Sequence, residues 1–314
     1  MNASQPPSKQ KSFPSLIRWL GTILSLGLLA YLLYKAGLRE TWETARQIPA
    51  WRLGLTLLLV FVSRLATFAR WHTLLSVQDQ HISWKDSLRL TFAGLFSSNF
   101  LPTTIGGDVV RLAGAVRWNL EGTLAAASLV ADRLVGMAGM ALMLPFSLGS
   151  FLGYTQNAAL RSPAGFATMG FWGSLWQKAV DAIRDILEKL QAWLHRPVIL
   201  LRALGWTLLH QLALYLMITV LLGGMNQHLP LTQTAGIWSL TYFISLIPIS
   251  INGLGLQELT ITNLYSLLGG VSASAAINLA IMLRLYFMLG SLPGAIFLPQ
   301  ILAGRQKEQH DGAQ

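Results

Sequence analysis

Cysteine is absent from the chain, and acidic residues are scarce, 13 in 314 against 23 lysines and arginines. The first absence excludes disulfides, thiol catalysis and cysteine-ligated metals. Charge of either sign is thin, at 11% of residues, where a soluble domain of ordinary composition carries about a quarter. Nucleotide and hydrolase signatures are missing as well. There is no Walker A loop, no His-Glu-x-x-His and no Gly-x-Ser-x-Gly, and the Gly-x-Gly of "NGLGLQE" (252–258) lacks the strand–helix setting of a dinucleotide site. His72 and His81 belong to no metal-ligand cluster. No cofactor and no metal are expected.

What fills the space is apolar. Hydrophobic residues make up 53% of the chain, with mean hydropathy +0.49. The runs Leu16–Tyr34, Trp51–Leu75, Leu124–Leu152, Val198–Gly223, Leu231–Ile249 and Ala273–Leu302 are each near or above the roughly 20 residues that cross a bilayer. They are continuous rather than alternating, which excludes a barrel. The fold class is therefore an all-α polytopic membrane protein of about six to eight transmembrane helices. Leu16–Tyr34 follows Lys9, Lys11 and Arg18 as a signal peptide would. Its apolar core is too long for one and no small-x-small cleavage site follows, so it reads as the first span. Residues 1–15 and 303–314 are then tails around an integral membrane domain of residues 16–302. The net charge of +10 would suggest nucleic acid in a soluble protein. Here the lysines and arginines suit loops and helix ends facing anionic lipid, and no nucleic acid is expected. Trp19, Trp42, Trp51, Trp71, Trp84 and Trp118 sit at span ends, as an interfacial belt requires.

Loop charges give an orientation. The basic N-terminal tail and Arg305–Lys307 place both termini in the cytoplasm. Gln177–Arg196 reads as an amphipathic cytoplasmic helix with Ile183, Ile186, Leu187, Leu190 and Leu194 at helical spacing. Gly223–Leu231 has no Lys or Arg and should lie outside. The connection bearing Lys35, Arg39, Arg46 and Arg52 must then also lie outside, against its charge, and Phe166–Trp176 must begin a return crossing.

Two stretches break the pattern, about residues 87–116 and 231–268. Each has helix, proline, a glycine turn, an acidic residue and a second helix: Pro102, Gly106, Gly107 and Asp108 in the first, Pro248, Gly253, Gly255 and Glu258 in the second. Proline and glycine stop a helix and strip backbone groups of partners, which hydrocarbon does not tolerate unless protein or a watery cavity surrounds them. Both stretches read as re-entrant helical hairpins. A long helix follows each, with Arg133 in "DRL" before Pro145 and Arg284 in "LRL" before Pro293. Pro102 precedes Arg133 by 31 residues and Pro248 precedes Arg284 by 36. With the first hairpin entering from the cytoplasm and the second from outside, the halves read as an inverted repeat with broken helices, the pattern of a transporter-like site.

Ionisable groups inside a membrane are costly, roughly 2.5–3.5 kcal/mol each on insertion scales. This chain nevertheless keeps Arg64 and Arg70 in one span, Asp108 and Arg111 in the first hairpin, Asp132 and Arg133, Glu258 and Arg284, and His210. Asp132 and Arg133 are adjacent, so on a helix they point about 100° apart and need separate partners. Internal salt bridges are the plain reading. An anion-handling cavity is the alternative: half-helix starts at Gly106, Gly107, Asn252, Gly253 and Gly255 offer free N–H groups, and Arg133, Arg284, Arg111 and Arg70 offer forked donors. Asp108 and Glu258 could cap those helix starts or contact substrate; the residues themselves leave both open. "IGGD" (105–108) departs from the Gly-x-Gly-Asp of intramembrane aspartyl proteases at Ile105, and no tyrosine precedes Asp132.

"ARWHTLL" (69–75), "NFLPTTIGGDVVR" (99–111), "ADRLVG" (131–136) and "IPISINGLGLQE" (247–258) together resemble the lysylphosphatidylglycerol synthase transmembrane-region family, also called flippase-like. The likeness runs over about residues 15–302. Its Asn-x-x-Pro…Gly-Asp-x-x-Arg element falls on Asn99, Pro102, Gly107, Asp108 and Arg111, and its Pro…Gly-x-Gly-x-x-Glu element on Pro248, Gly253, Gly255 and Glu258. Its acid-Arg element falls on Asp132 and Arg133, with aspartate where glutamate is usual. The resemblance implies the translocating part without the soluble acyltransferase-like domain, hence a stand-alone member and no enzyme. The implied function is movement of a membrane lipid with a polar or phosphate-containing headgroup between leaflets, as a monomer or homo-oligomer. A non-transporting partner of a lipid-modifying enzyme or glycosyltransferase is the second expectation.

Overall fold

The computed structural model describes residues 38–76, 82–100, 106–118, 120–147, 196–246 and 255–303, together with helical positions 27, 30, 31 and 34. Pro102, Pro248, Asn252, Gly253, most of Leu16–Tyr34, Phe166–Trp176 and all of the amphipathic stretch 177–196 but its last residue lie outside the described residues. Ten helices make up the described structure: α1 (Leu38–Arg46), α2 (Ala50–Leu75), α3 (Trp84–Phe100), α4 (Gly106–Arg117), α5 (Gly122–Met143), α6 (Pro197–Gly224), α7 (Leu231–Ser245), α8 (Leu256–Leu267), α9 (Ala273–Leu289) and α10 (Gly294–Ala303). Among the described residues there is no strand. The chain is an all-α polytopic membrane protein.

Among the described residues three helices are long and apolar enough to cross a bilayer, Ala50–Leu75, Gly122–Ser147 and Pro197–Gly224. The expected single run Ala273–Leu302 is instead bent by 48° between α9 and α10, and the pair makes a fourth candidate span. Pro293 explains the break. It has no N–H to give, and the turn tightens so that Ser291 N–H goes to Met288 and Leu292 N–H to Leu289. α1 is a short amphipathic helix where the sequence suggested a plain connection; Arg39 pairs there with Glu43 one turn on.

Contacts fix the directions. Arg52 meets Val220 and Ser63 meets His210, while Arg70 meets Thr207, so α2 and α6 run antiparallel. Trp71 with Ser128 and Arg70 with Asp132 set α5 antiparallel to α2. One end of this bundle gathers Gln47 with Asn226 and Gln227 with Ser272. Arg117 meets Ile301 at the other. The main core lies among α2, α6, α7, α8 and α9, with Met217, Ile218, Leu221, Leu222, Ile237, Tyr265 and Leu283 wholly or almost wholly buried. α6 is apolar nearly all round, as suits a span with one face in the core and the other, with Leu201, Leu212 and Leu216, exposed.

α3 and α4 pair antiparallel, and α7 and α8 pair with each other. At 17, 12, 15 and 12 residues they reach about 18–26 Å at 1.5 Å per residue, short of a roughly 30 Å hydrocarbon layer. The base of the first pair, Leu90 and Gly114, packs by Ile301. The base of the second, where Gln233 donates to the Leu268 carbonyl at 2.8 Å, lies by Gln227 and Ser272. The two short helical pairs therefore stand on opposite ends of the bundle. In the first pair the helices nearly touch: a Cβ on Gly107 would strike Ser98 and the Gly94 carbonyl, and one on Gly94 would meet Arg111 Cγ at 2.6 Å.

Candidate functional site

The ionisable residues of the sequence converge in the middle of the bundle as a chain of ion pairs. Asp132, on α5 and 4% exposed, accepts from Arg70 Nε on α2 at 2.7 Å and from Arg111 Nη1 on α4 at 3.4 Å. Arg70 Nη1 reaches on to Thr207 of α6 at 3.5 Å. Arg111 Nη1 also faces Asp108 Oδ1 at 3.6 Å, and Asp108 Oδ2 accepts from Arg133 Nε at 2.6 Å. Asp132 and Arg133 thus turn to different partners, as their helical spacing demands. The chain runs from a buried end at Arg70 to an exposed end at Arg133, whose side chain is 54% exposed.

Arg111 is the least satisfied member. It is buried, and its Nε and Nη2 have no acceptor among the described residues. Its guanidinium lies 4.1 Å over the centre of the Trp71 ring. That ring is fully buried, not interfacial as its position at a span end suggested, and its Nε1 donates to Ser128 Oγ at 3.1 Å. Trp118 is buried as well, whereas Trp42, Trp51 and Trp84 are exposed as a belt requires. A side chain at Gly94 would occupy the place of the Arg111 stem.

A polar strip continues the cluster between α2 and α6. Ser63 Oγ and Thr67 Oγ1 hydrogen-bond His210 Nδ1 at 2.8 and 3.3 Å. Gln211 is fully buried beside Gly139, with neither end of its amide partnered among the described residues. Among these only His210 was singled out by sequence reading. The signal for the rest was present: Ser63, Thr67 and Arg70, and Thr207, His210 and Gln211, recur at helical spacing in otherwise apolar runs.

The second short pair holds a simpler site. Gly255, with φ of 78°, takes the left-handed conformation that glycine adopts freely, and α8 starts from it. Glu258 caps that start, accepting from Gly255 N–H at 2.8 Å, and its other oxygen pairs with Arg284 of α9. Glu258 is therefore a helix cap and an ion-pair partner together. Asp108 has its two oxygens turned to Arg111 and Arg133. One turn beyond Arg284, the Phe287 carbonyl accepts from Arg64 Nη2 and from Asn99 Nδ2, each at 3.3 Å; Asn99 also donates to Ser291 Oγ at 3.0 Å. Of the expected site residues, Arg70, Gly107, Asp108, Arg111, Asp132 and Arg133 come together, with Gly106 at the start of α4. Gly255, Glu258 and Arg284 form a separate group, and Asn252 and Gly253 lie outside the described residues. Among the described residues no group of His, Asp and Glu has the makings of a metal site.

Residues 18–294 match the family described as the lysylphosphatidylglycerol synthase TM region. The chain belongs to this family. No curated protein matches it. The matched stretch takes in both short helical pairs and every charged residue of the two groups, so the family pattern and the ion-pair geometry coincide in the same part of the chain. Membership places the chain among membrane proteins connected with lipid chemistry.

Proposed function

We propose that this protein is a flippase-like transporter that moves a lipid with a polar or anionic headgroup, a phospholipid or a lipid-linked sugar, between the leaflets of a bacterial inner membrane. The single observation that carries the reading is the graded chain of ion pairs, from exposed Arg133 to buried Arg70, beside an under-satisfied arginine. A purely structural set of buried charges should be closed, since each unpaired buried donor costs about 1–3 kcal/mol or more. An open donor is affordable where a ligand completes it in part of a cycle. The two short helical pairs, standing on opposite ends of the bundle, are taken as re-entrant hairpins, and rocking of the halves around them would expose the cluster to each leaflet in turn. Arg284 and Glu258 would serve the second half as Arg133 and Asp108 serve the first.

The reading is tested by reconstituting the full chain in liposomes with fluorescent lipids of several headgroups and following loss of signal to an impermeant quencher. Protein-dependent quenching of the inner-leaflet pool supports transport. Leaflet distributions unchanged by the protein, for every headgroup and with ion gradients imposed, would remove it.

A further inference from the structure

We infer that the Nε/Nη2 edge of Arg111, backed by the Trp71 ring, is a buried binding site for a singly charged phosphate group, and that Asp108 is the carboxylate such a ligand displaces. The inference deepens the transport reading by naming the group that enters and the residue that receives it. Three observations carry it. First, the two nitrogens of Arg111 without an acceptor among the described residues are Nε and Nη2. Those two point along one edge of the guanidinium, the fork that takes both oxygens of a phosphate or carboxylate side by side. Nη1 alone serves Asp132 and Asp108, at the long distances of 3.4 and 3.6 Å. Second, the edge is held ready. The Arg111 side chain is 9% exposed, stacked on an indole that Ser128 fixes and laid across the bare backbone of Gly94. Third, the contiguous chain sets three guanidinium groups, Arg70, Arg111 and Arg133, against two carboxylates, Asp108 and Asp132. One positive charge is left over. A phosphodiester carries one negative charge and closes the sum, which a doubly charged phosphomonoester would overshoot.

Access begins at the exposed end. A phosphate meeting Arg133 competes with Asp108 for the Arg133 donors. Asp108 faces Nη1 of Arg111, next to the Nε/Nη2 edge, so its release removes a like charge from beside the site. A phosphodiester and the singly charged dihydrogen form of free phosphate share this chemistry, so the probes must include both.

The test is a titration of the purified full chain in detergent with short-chain phosphatidylglycerol and, separately, with inorganic phosphate, read by native mass spectrometry and thermal shift. Wild type should bind, and R111K, which keeps the charge but not the fork, should bind at least about tenfold more weakly. D108N, which keeps every arginine and removes the competing anion, should bind several-fold more tightly. An arginine with only a structural role would give no tightening in D108N. Preference for the lipid assigns the site to a headgroup, preference for free phosphate to a soluble anion, and both support the site. Wild type binding neither probe, or R111K and D108N both binding as wild type does, overturns it. Should R111K fail to accumulate, D108N decides: tightening supports the site and unchanged affinity overturns it. Transport lost with binding intact would remove the transport reading alone; transport intact with binding indifferent to both variants would remove this site alone.

Discussion

At the residue scale the most exposed commitment is Asp132. It is buried and is the acceptor for both Arg70 and Arg111. Removing one partner of a buried ion pair typically costs about 3–5 kcal/mol, because the other charge is stranded. Asp132→Asn should therefore lower the thermal unfolding temperature in detergent far more than Arg133→Gln, whose parent side chain is half exposed. Equal shifts for the two would show that burial does not grade the cluster. Adjacency told from sequence alone that Asp132 and Arg133 must look to different partners. Which partners was not legible, because facing across helices depends on rotation and packing that hydropathy does not encode. Trp71 shows the same limit: its place at a span end suggested an interface, yet contact with α5 buries it.

Element boundaries were the more legible level. Pro102 with Gly106-Gly107, and Pro248 with Gly255, announced interruptions where α3 gives way to α4 and α7 to α8. The break between α9 and α10 could also be traced to Pro293, but a single apolar run concealed it. Helix α8 offers a direct check on the capping role of Glu258. Glu258→Ala removes the acceptor of Gly255 N–H, a loss worth about 1 kcal/mol at an N-terminus, and leaves Arg284 without that pair. Amide exchange over 255–259 should quicken while exchange over the core of α6 stays slow; unchanged protection of the first turn would contradict the cap. In the first pair, Gly107→Ala forces a methyl into Ser98 and the Gly94 carbonyl. Overpacking of this kind costs roughly 1–3 kcal/mol, so folded yield and melting temperature should both fall, whereas Gly54→Ala, with open space around it, should be neutral or better.

For the whole molecule, the contacts sort the helix ends into two sets. Gln47 and Gln227 share one end of the bundle; Trp84, which begins α3, and Arg196, which precedes α6, belong to the other. The native chain has no cysteine, so single cysteines can be placed at will. Cysteines at 47 and 227 should react with an impermeant maleimide from one side of the membrane, and cysteines at 84 and 196 from the opposite side. Labelling of all four from one face would overturn the arrangement of spans. Fold class and family were readable because twenty-residue apolar runs and spaced motifs survive without tertiary information. The closing of charges into one graded chain was not, since it joins α2, α4 and α5 across separations of 21, 25 and 62 positions.

The central claim is that the charged middle of the bundle carries a lipid headgroup across the membrane. The most direct measurement is the transbilayer movement rate of a fluorescent anionic phospholipid in proteoliposomes, for wild type and for a chain carrying Arg133→Gln and Arg284→Gln. The account predicts rapid protein-dependent movement for wild type and near-background movement for the double variant at equal insertion. Equal rates for the two chains would contradict it.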